Sequence, residues 1–157
     1  MTRITGCRRE DLREVEAILQ LAREAAAWSA DSIEELFEEH PGYLLLAWQS
    51  EEIAGFISGR RILGEGEILN LAVKPQWRRQ GLGTALVKAL LESLAREGVL
   101  QVFLEVRESN RRAVCFYQNL GFRQTGKRER YYRDPDEAAL LLAAQTRLAT
   151  STERTNP

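Results

Sequence analysis

Hydrophobic residues follow two periods along this chain, and their order predicts a mixed α/β fold. A helical period occurs in four segments: Asp11 to about Ala26, Asp31 to Glu39, Gly81 to Arg96 and Asn110 to Leu120. Strand-like apolar runs occur in seven segments: Thr2 to Cys7, Tyr43 to Trp48, Ile53 to Leu63, Glu67 to Val73, Leu100 to Val106, Phe122 to Tyr132 and Glu137 to Ala144. The order β-α-α-β-β-β-α-β-α-β-β predicts one mixed sheet covered by helices, with an antiparallel meander at its centre.

Length and composition indicate a single domain. A chain of 157 residues can bury roughly two thirds of the surface that its unfolded form exposes, so it needs no metal or disulfide to fold. We expect residues 1–145 to form the domain. The polar, Thr-rich residues 146–157 we expect to be disordered.

Charge and cysteine content exclude several classes of function. The chain has 22 Lys and Arg against 23 Asp and Glu, so no overall positive field favours direct binding to nucleic acid or to an anionic membrane. Cys7, Cys115 and His40 form no metal-binding pattern, and we expect no metal site. The absence of a signal peptide or an apolar span of membrane length predicts a cytoplasmic protein.

A glycine-containing loop between a strand and a helix is the most informative motif. The loop Arg78-Arg79-Gln80-Gly81-Leu82-Gly83-Thr84 follows the apolar strand that ends at Val73. Its two glycines allow main-chain N–H groups to approach an anion, and the N-terminus of the next helix favours negative charge. The loop therefore predicts a phosphate site, although a turn that binds nothing would have the same pattern.

Several further blocks, taken with this loop, resemble the RimI-type N-terminal acetyltransferases of the GNAT superfamily. The resemblance runs from about Ile4 to Ala144 and is carried by Arg78-x-x-Gly81-x-Gly83, Leu104-Glu105-Val106-Arg107-x-Ser109-Asn110, Ala113-x-x-Phe116-Tyr117-x-x-Leu120-Gly121-Phe122 and Arg128-x-Arg130-Tyr131-Tyr132. It implies the GNAT fold, a single mixed central sheet of about six to seven strands flanked by about four helices.

The resemblance implies acetyl-CoA as co-substrate. In the family the loop amides hold the CoA diphosphate, and the pantetheine arm pairs with the main chain of the preceding strand as an added strand would. The positions of this chain that the family assigns to the cofactor are Leu71, Ala72, Val73, Arg78, Arg79, Gln80, Gly81, Leu82, Gly83, Thr84 and Asn110.

Two residues are the predicted catalytic groups. Glu105 lies within an otherwise apolar strand, where a carboxylate needs a partner or a function, and the resemblance implies that it takes the proton from the attacking amine. Glu67 is the competing candidate base. Tyr117 is implied as the proton donor to the departing thiolate, whose basicity is close to that of an ordinary phenol with a pKa of about 10. Cys115 has no nearby base in the sequence, so we expect it to be a buried small residue rather than a nucleophile.

The predicted acceptor is a peptide N-terminus. At pH 7, freeing a neutral α-amine costs roughly 1.4 kcal/mol and freeing a lysine amine roughly 4.6 kcal/mol, so a single carboxylate suits the α-amine better. The resemblance adds a peptide groove formed by Trp28, Glu67, Tyr131, Tyr132 and Glu137, and the N-terminal alanine of a small-subunit ribosomal protein as acceptor.

Two departures from the family pattern and two alternative functions stay open at this point. No proline precedes Trp28, and Ala138 replaces an expected aspartate after Glu137. Acetyl transfer to a small amine or to a protein lysine is the first alternative. A non-catalytic module that binds acyl-CoA is the second.

Overall fold

The computed structural model describes residues 2–22, 30–133 and 136–147. Within them the predicted order of elements is confirmed, as is the predicted single mixed α/β sheet. The strands are β1 (Arg3–Gly6), β2 (Leu44–Gln49), β3 (Glu52–Ile62), β4 (Glu65–Val73), β5 (Gln101–Arg107), β6 (Arg123–Tyr132) and β7 (Glu137–Gln145). The helices are α1 (Leu12–Leu21), α2 (Ala30–Glu39), α3 (Leu82–Arg96) and α4 (Arg111–Asn119).

The seven strands of the described residues form one sheet in the order β1-β2-β3-β4-β5-β7-β6. Neighbouring strands are antiparallel except β4 and β5, which are parallel. The last strand, β7, lies between β5 and β6 and therefore leaves β6 at the edge. The central meander predicted from the short connections is confirmed by β2, β3 and β4.

Helices cover both faces of the sheet. One hydrophobic cluster contains Leu86 and Leu90 of α3, and a second contains Val15 of α1. The adjacent β3 residues Phe56 and Ile57 belong to different clusters, the first with α1 and the second with α3. Because successive side chains of a strand point to opposite faces, α1 and α3 pack on opposite sides of the sheet.

Helix α1 is shorter than its sequence pattern predicts. The helix ends at Leu21, and Ala22 has an extended backbone with φ −97° and ψ 95°. The prediction of a helix to about Ala26 is therefore wrong at its C-terminal end. Residues 23–26 of the predicted span lie outside the described residues.

The C-terminal strand is anchored beyond its last residue. The backbone N–H of Thr146 donates to the Leu100 carbonyl at 2.9 Å, and its hydroxyl donates to the Val99 carbonyl at 2.7 Å. Thr146 therefore packs with the domain. The expected disorder of the tail stays a prediction, since residues 148–157 lie outside the described ranges.

Candidate active site

A cleft opens where β4 and β5 diverge. The two strands pair only at Gly66 with Val102 and at Glu67 with Phe103. Beyond these pairs the strands separate around a cavity of ≈ 960 Å³. Its walls come from the end of β4, the loop before α3, the second half of β5, the start of α4 and residues 131–133. This position follows from the topology, because β4 and β5 are the one parallel pair in the described sheet.

An extra residue in β4 contributes to the divergence. Ser58 pairs with Asn70 whereas the next β3 residue, Gly59, pairs with Ile68, which leaves Leu69 as a bulge. A β-bulge bends its strand and increases the local twist. The following residues, Leu71 to Val73, line the cleft and have no ladder partner on β5. Their main chain is therefore available to an extended ligand, as the predicted pairing with pantetheine requires.

The loop before α3 has the conformation of an anion site. Gly81 is the N-cap of α3 and is left-handed, with φ +82°, and Arg79 is also left-handed, with φ +62°. The N–H groups of the first helical turn have no partner within the helix, and the helix dipole adds positive potential there. The predicted cofactor residues that line the cleft are Leu71, Ala72, Val73, Arg78, Arg79, Gly81, Leu82, Gly83, Thr84 and Asn110, whereas Gln80 does not line it.

The loop is fastened to the rest of the sheet by side chains. Arg78 Nε donates to the Val73 carbonyl at 3.1 Å, and the Trp77 indole donates to Glu52. Lys74 Nζ lies 2.7 Å from a Glu14 carboxylate oxygen, with only 13% of the lysine side chain exposed. The sequence carried no sign of this partly exposed ion pair, because its partners are far apart in the chain. It connects the phosphate loop with α1.

We expect Gly81→Ala to weaken acetyl-CoA binding about tenfold. An L-residue in the left-handed region costs roughly 1–2 kcal/mol. We expect the empty loop of the variant to adopt another, unstrained conformation, so that binding of acetyl-CoA must supply this free energy to restore the left-handed one. Isothermal titration calorimetry with acetyl-CoA measures the change.

The matched control is Gly64→Ala in the β3–β4 turn. Both glycines have φ above +80°, and an added Cβ meets nothing within 4 Å at either position. Gly64 does not line the cleft. The control should lose stability by a similar amount and keep its affinity for acetyl-CoA. An equal loss of affinity in both variants would contradict the assignment of the loop.

Glu105 lies on the cleft wall as predicted. It belongs to the less buried face of β5, with 15% of its side chain exposed, and its carboxylate is 3.5 Å from Arg128 Nη1. The Glu105 carboxylate is also the main cause of a raised pKa at Tyr131, together with burial. An anionic group with one cation beside it therefore faces the cleft.

Glu67, the competing base, has a different environment. Its carboxylate accepts a hydrogen bond from Arg60 Nε at 2.9 Å, and it does not line the cleft. Both carboxylates have a guanidinium beside them, so what distinguishes them is position: Glu105 lines the cleft and Glu67 does not. The geometry therefore favours Glu105 over Glu67.

Tyr117 lies across the cleft on α4. The helix begins with Asn110 as N-cap, whose side chain accepts from the Ala113 N–H at 3.2 Å. The Tyr117 ring packs edge-on against the rings of Phe116 and Phe122, with ring centres 5.0 Å and 5.3 Å away. Burial raises the pKa of the Tyr117 phenol above its ordinary value. The phenol is therefore a weaker acid than the close match with a thiolate requires, and the role of Tyr117 as proton donor stays a prediction.

The residues predicted to bind the acceptor differ in whether they line the cleft. Tyr131 and Tyr132 line the cleft, with their ring centres 5.0 Å apart. Glu137 does not line it; its carboxylate accepts from the Ser109 N–H at 2.7 Å. Trp28 lies outside the described residues. Ala138 is buried, so the expected aspartate would be placed in the protein interior at this position.

Several residues of the cleft were not predicted as site residues. Arg107 and Arg112 contribute two further guanidinium groups, and Asn70 is a buried amide. The signal for Arg107 was present in the sequence, since it follows Glu105 by two positions and therefore shares its strand face. Arg112 carried no such signal, because its approach to the phosphate loop depends on the packing of α4.

Cys115 differs from its prediction. The thiol residue is exposed rather than buried, and it does not line the cleft. It is therefore not positioned to act as an acyl-carrying nucleophile.

No three His, Cys, Asp or Glu residues within residues 2–22, 30–133 and 136–147 come together as a metal-binding group. In the same ranges no helix has the length and apolar character to cross a bilayer.

Comparison with known proteins identifies close relatives. The profile of the Acetyltransferase (GNAT) family matches residues 10–122. The [ribosomal protein bS18]-alanine N-acetyltransferase of Escherichia coli strain K12 is 35% identical over 148 residues, which are 91% of this chain and 97% of that protein.

Solved structures of two relatives have the same fold. The crystal structure of the ribosomal-protein-S18-alanine N-acetyltransferase from Escherichia coli has a TM-score of 0.82 at 31% identity and covers 100% of both chains. The crystal structure of Ard1 from Thermoplasma volcanium has a TM-score of 0.85 at 30% identity, with coverage of 92% of this chain and 97% of that one.

Proposed function

Because the chain belongs to the GNAT acetyltransferase family, we propose that it is an acetyl-CoA-dependent N-α-acetyltransferase whose acceptor is the N-terminal alanine of a small-subunit ribosomal protein. The acceptor class is supported by the Escherichia coli relative, a [ribosomal protein bS18]-alanine N-acetyltransferase with which the chain shares 35% identity over 91% of its length. A ribosomal acceptor in turn favours the cytoplasm as the place of action. Acetyl-CoA and a protein N-terminus are the two binding partners, with no direct binding to nucleic acid or membrane.

One observation carries the proposal: Glu105 and Tyr117 face the same cleft, beyond a loop suited to a diphosphate. The phosphate groups of acetyl-CoA bind the amides from Gly81 onwards, and Arg78 and Arg79 supply local positive charge. The pantetheine arm follows the main chain of β4 into the gap beside β5. This path brings the thioester between the base and the donor.

The chemical step is a direct transfer within a ternary complex. Glu105 accepts a proton from the ammonium group of the acceptor, through a water molecule, and so frees the amine. The amine nitrogen then attacks the thioester carbonyl carbon, the C–N bond forms and the C–S bond breaks. As the C–S bond breaks, the second proton lost by the attacking nitrogen passes to the sulfur, to which the Tyr117 hydroxyl donates a hydrogen bond, so that CoA is released as the thiol and the nitrogen becomes a neutral amide. No residue of the protein becomes acylated.

A peptide carrying both kinds of amine tests the acceptor class. We expect a hexapeptide with a free N-terminal alanine and one internal lysine to be acetylated at the α-amine, because freeing the lysine amine costs roughly 3 kcal/mol more at pH 7. Tandem mass spectrometry assigns the modified nitrogen.

Two matched acceptors complete the test. The same hexapeptide with a blocked N-terminus isolates the lysine, and a polyamine represents small amines. Turnover confined to the polyamine or to the lysine would overturn the N-α assignment and favour the first alternative.

Absence of turnover on every acceptor, together with tight binding of acetyl-CoA in calorimetry, would instead establish the non-catalytic acyl-CoA module. In cells, N-terminal mass spectrometry of a strain lacking the protein identifies the acceptor as the ribosomal protein whose acetylated form disappears.

A further inference from the structure

Arg107 occupies a position in the cleft that the proposed chemistry does not yet use. It is the last residue of β5 and lines the cavity. Since it follows Glu105 by two positions, both side chains leave the same face of the strand, roughly 7 Å apart along it. The cleft therefore contains a cation, the Arg107 guanidinium, on a residue two positions along β5 from the candidate base Glu105.

Two neighbours hold the guanidinium in place. Arg107 Nη1 lies 3.6 Å from a Glu137 carboxylate oxygen, and the guanidinium carbon lies 4.3 Å from the centre of the Tyr132 ring. Glu137 is fixed in turn by the Ser109 N–H at 2.7 Å, and this hydrogen bonding lowers the pKa of Glu137. Glu137 therefore stays charged at neutral pH. The Arg107 guanidinium is held at one edge by the Glu137 carboxylate and on one face by the Tyr132 ring.

The arginine nevertheless keeps unused donors. A guanidinium has five N–H donors in a planar fork. Nη1 is buried without a hydrogen-bond partner, and in the described ranges no acceptor takes a hydrogen bond from any other nitrogen of Arg107. The Arg107 side chain is 36% exposed and lines the cleft. A rigid donor edge without an internal acceptor is suited to an acceptor atom on a ligand.

We propose that Arg107 binds a main-chain carbonyl oxygen of the acceptor, in the first two residues of the peptide, and so favours peptide N-termini over simple amines. The proposal rests on the proposed N-α-acetyltransferase function. Its physical basis is the pairing of Arg107 with Glu137, which already neutralises the charge. A second anion would gain little there, whereas a neutral carbonyl accepts a hydrogen bond without a competing charge.

The main test compares Arg107→Met with wild type on an N-terminal alanine hexapeptide. Methionine keeps much of the apolar stem and removes every donor. We expect the peptide KM to rise roughly ten- to a hundredfold, as for the loss of a hydrogen bond to a charged group, with the acetyl-CoA KM changed less than about twofold. Arg107→Lys keeps a charge without the planar fork and should recover part of the loss.

Two peptide analogues make the test specific. In one an (E)-alkene replaces the first peptide bond, and in the other it replaces the second, so each analogue lacks one carbonyl and keeps its shape. With one of the two, wild type should lose affinity, and Arg107→Met should cause no further loss. Arg111→Met serves as control, because Arg111 is exposed and does not line the cleft.

The outcomes separate this proposal from the proposed function. If wild type acetylates the hexapeptide while Arg107→Met raises KM equally for the hexapeptide and for both alkenes, the role of Arg107 is structural and the inference is overturned. If Arg107→Met does not fold, equal wild-type KM values for all three peptides overturn it in the same way. If wild type acetylates no peptide at all, the proposed function fails first and the inference fails with it.

Discussion

Glu105→Gln is expected to lower kcat by roughly 10²- to 10⁴-fold, the usual contribution of a positioned general base. Glutamine has nearly the shape of glutamate but cannot take up the proton. Affinity for acetyl-CoA should stay close to the wild-type value, because the phosphate loop and β4 are untouched. The pH dependence of kcat/KM should change, because the variant lacks the group that accepts the proton of the amine.

Steady-state kinetics from pH 5 to 9 check this expectation, with Glu67→Gln as the competing variant. Glu67 is bound to Arg60 and lies outside the cleft lining, so its substitution should have the smaller effect. Glu92→Gln on the exposed side of α3 controls for the substitution itself. If Glu67→Gln abolishes activity while Glu105→Gln retains it, the base is Glu67.

Tyr117→Phe is expected to reduce kcat by roughly 10²-fold, similar to the removal of one donor that stabilises a developing anion. The ring contacts with Phe116 and Phe122 remain, so the variant should fold and bind acetyl-CoA. Because burial raises the pKa of Tyr117, the phenol stays protonated across the pH range of the assay. The loss should therefore be independent of pH below about pH 10.

Rapid-mixing measurements of a single turnover distinguish this role from packing. A slower chemical step with unchanged acetyl-CoA affinity supports hydrogen bonding to the departing thiolate. If the whole loss appears instead as weaker acetyl-CoA binding, Tyr117 is a packing residue of the cofactor pocket.

Much of the fold follows from local pattern. The helical period of α3 and the alternation of β5 required no knowledge of their neighbours, and Gly81 marked the start of α3 because a left-handed N-cap there favours glycine. Gly81 and Gly83 together also predicted the phosphate site. These features depend on interactions between residues close in sequence, which is why the pattern reveals them.

The features that the sequence did not predict depend instead on contacts between residues far apart in the chain. The ion pair of Lys74 with Glu14 and the exposure of Cys115 depend on which elements pack together. Glu137 was predicted to line the peptide groove, but it instead accepts the Ser109 N–H and faces Arg107. Burial by Phe116 and Phe122 likewise changed the expected acidity of Tyr117.

The amino-acid sequence by itself determined the elements and their order, and it pointed to the turn proposed to bind an anion and, through the family resemblance, to the two candidate catalytic side chains. Only the tertiary structure decided that β4 and β5 separate after two residue pairs, that β7 enters between β5 and β6, and that Arg107 meets Glu137. The reason is physical: helix period, strand alternation and glycine conformation are local preferences. The width of a cleft and the partner of a buried charge depend on contacts between residues far apart in the chain.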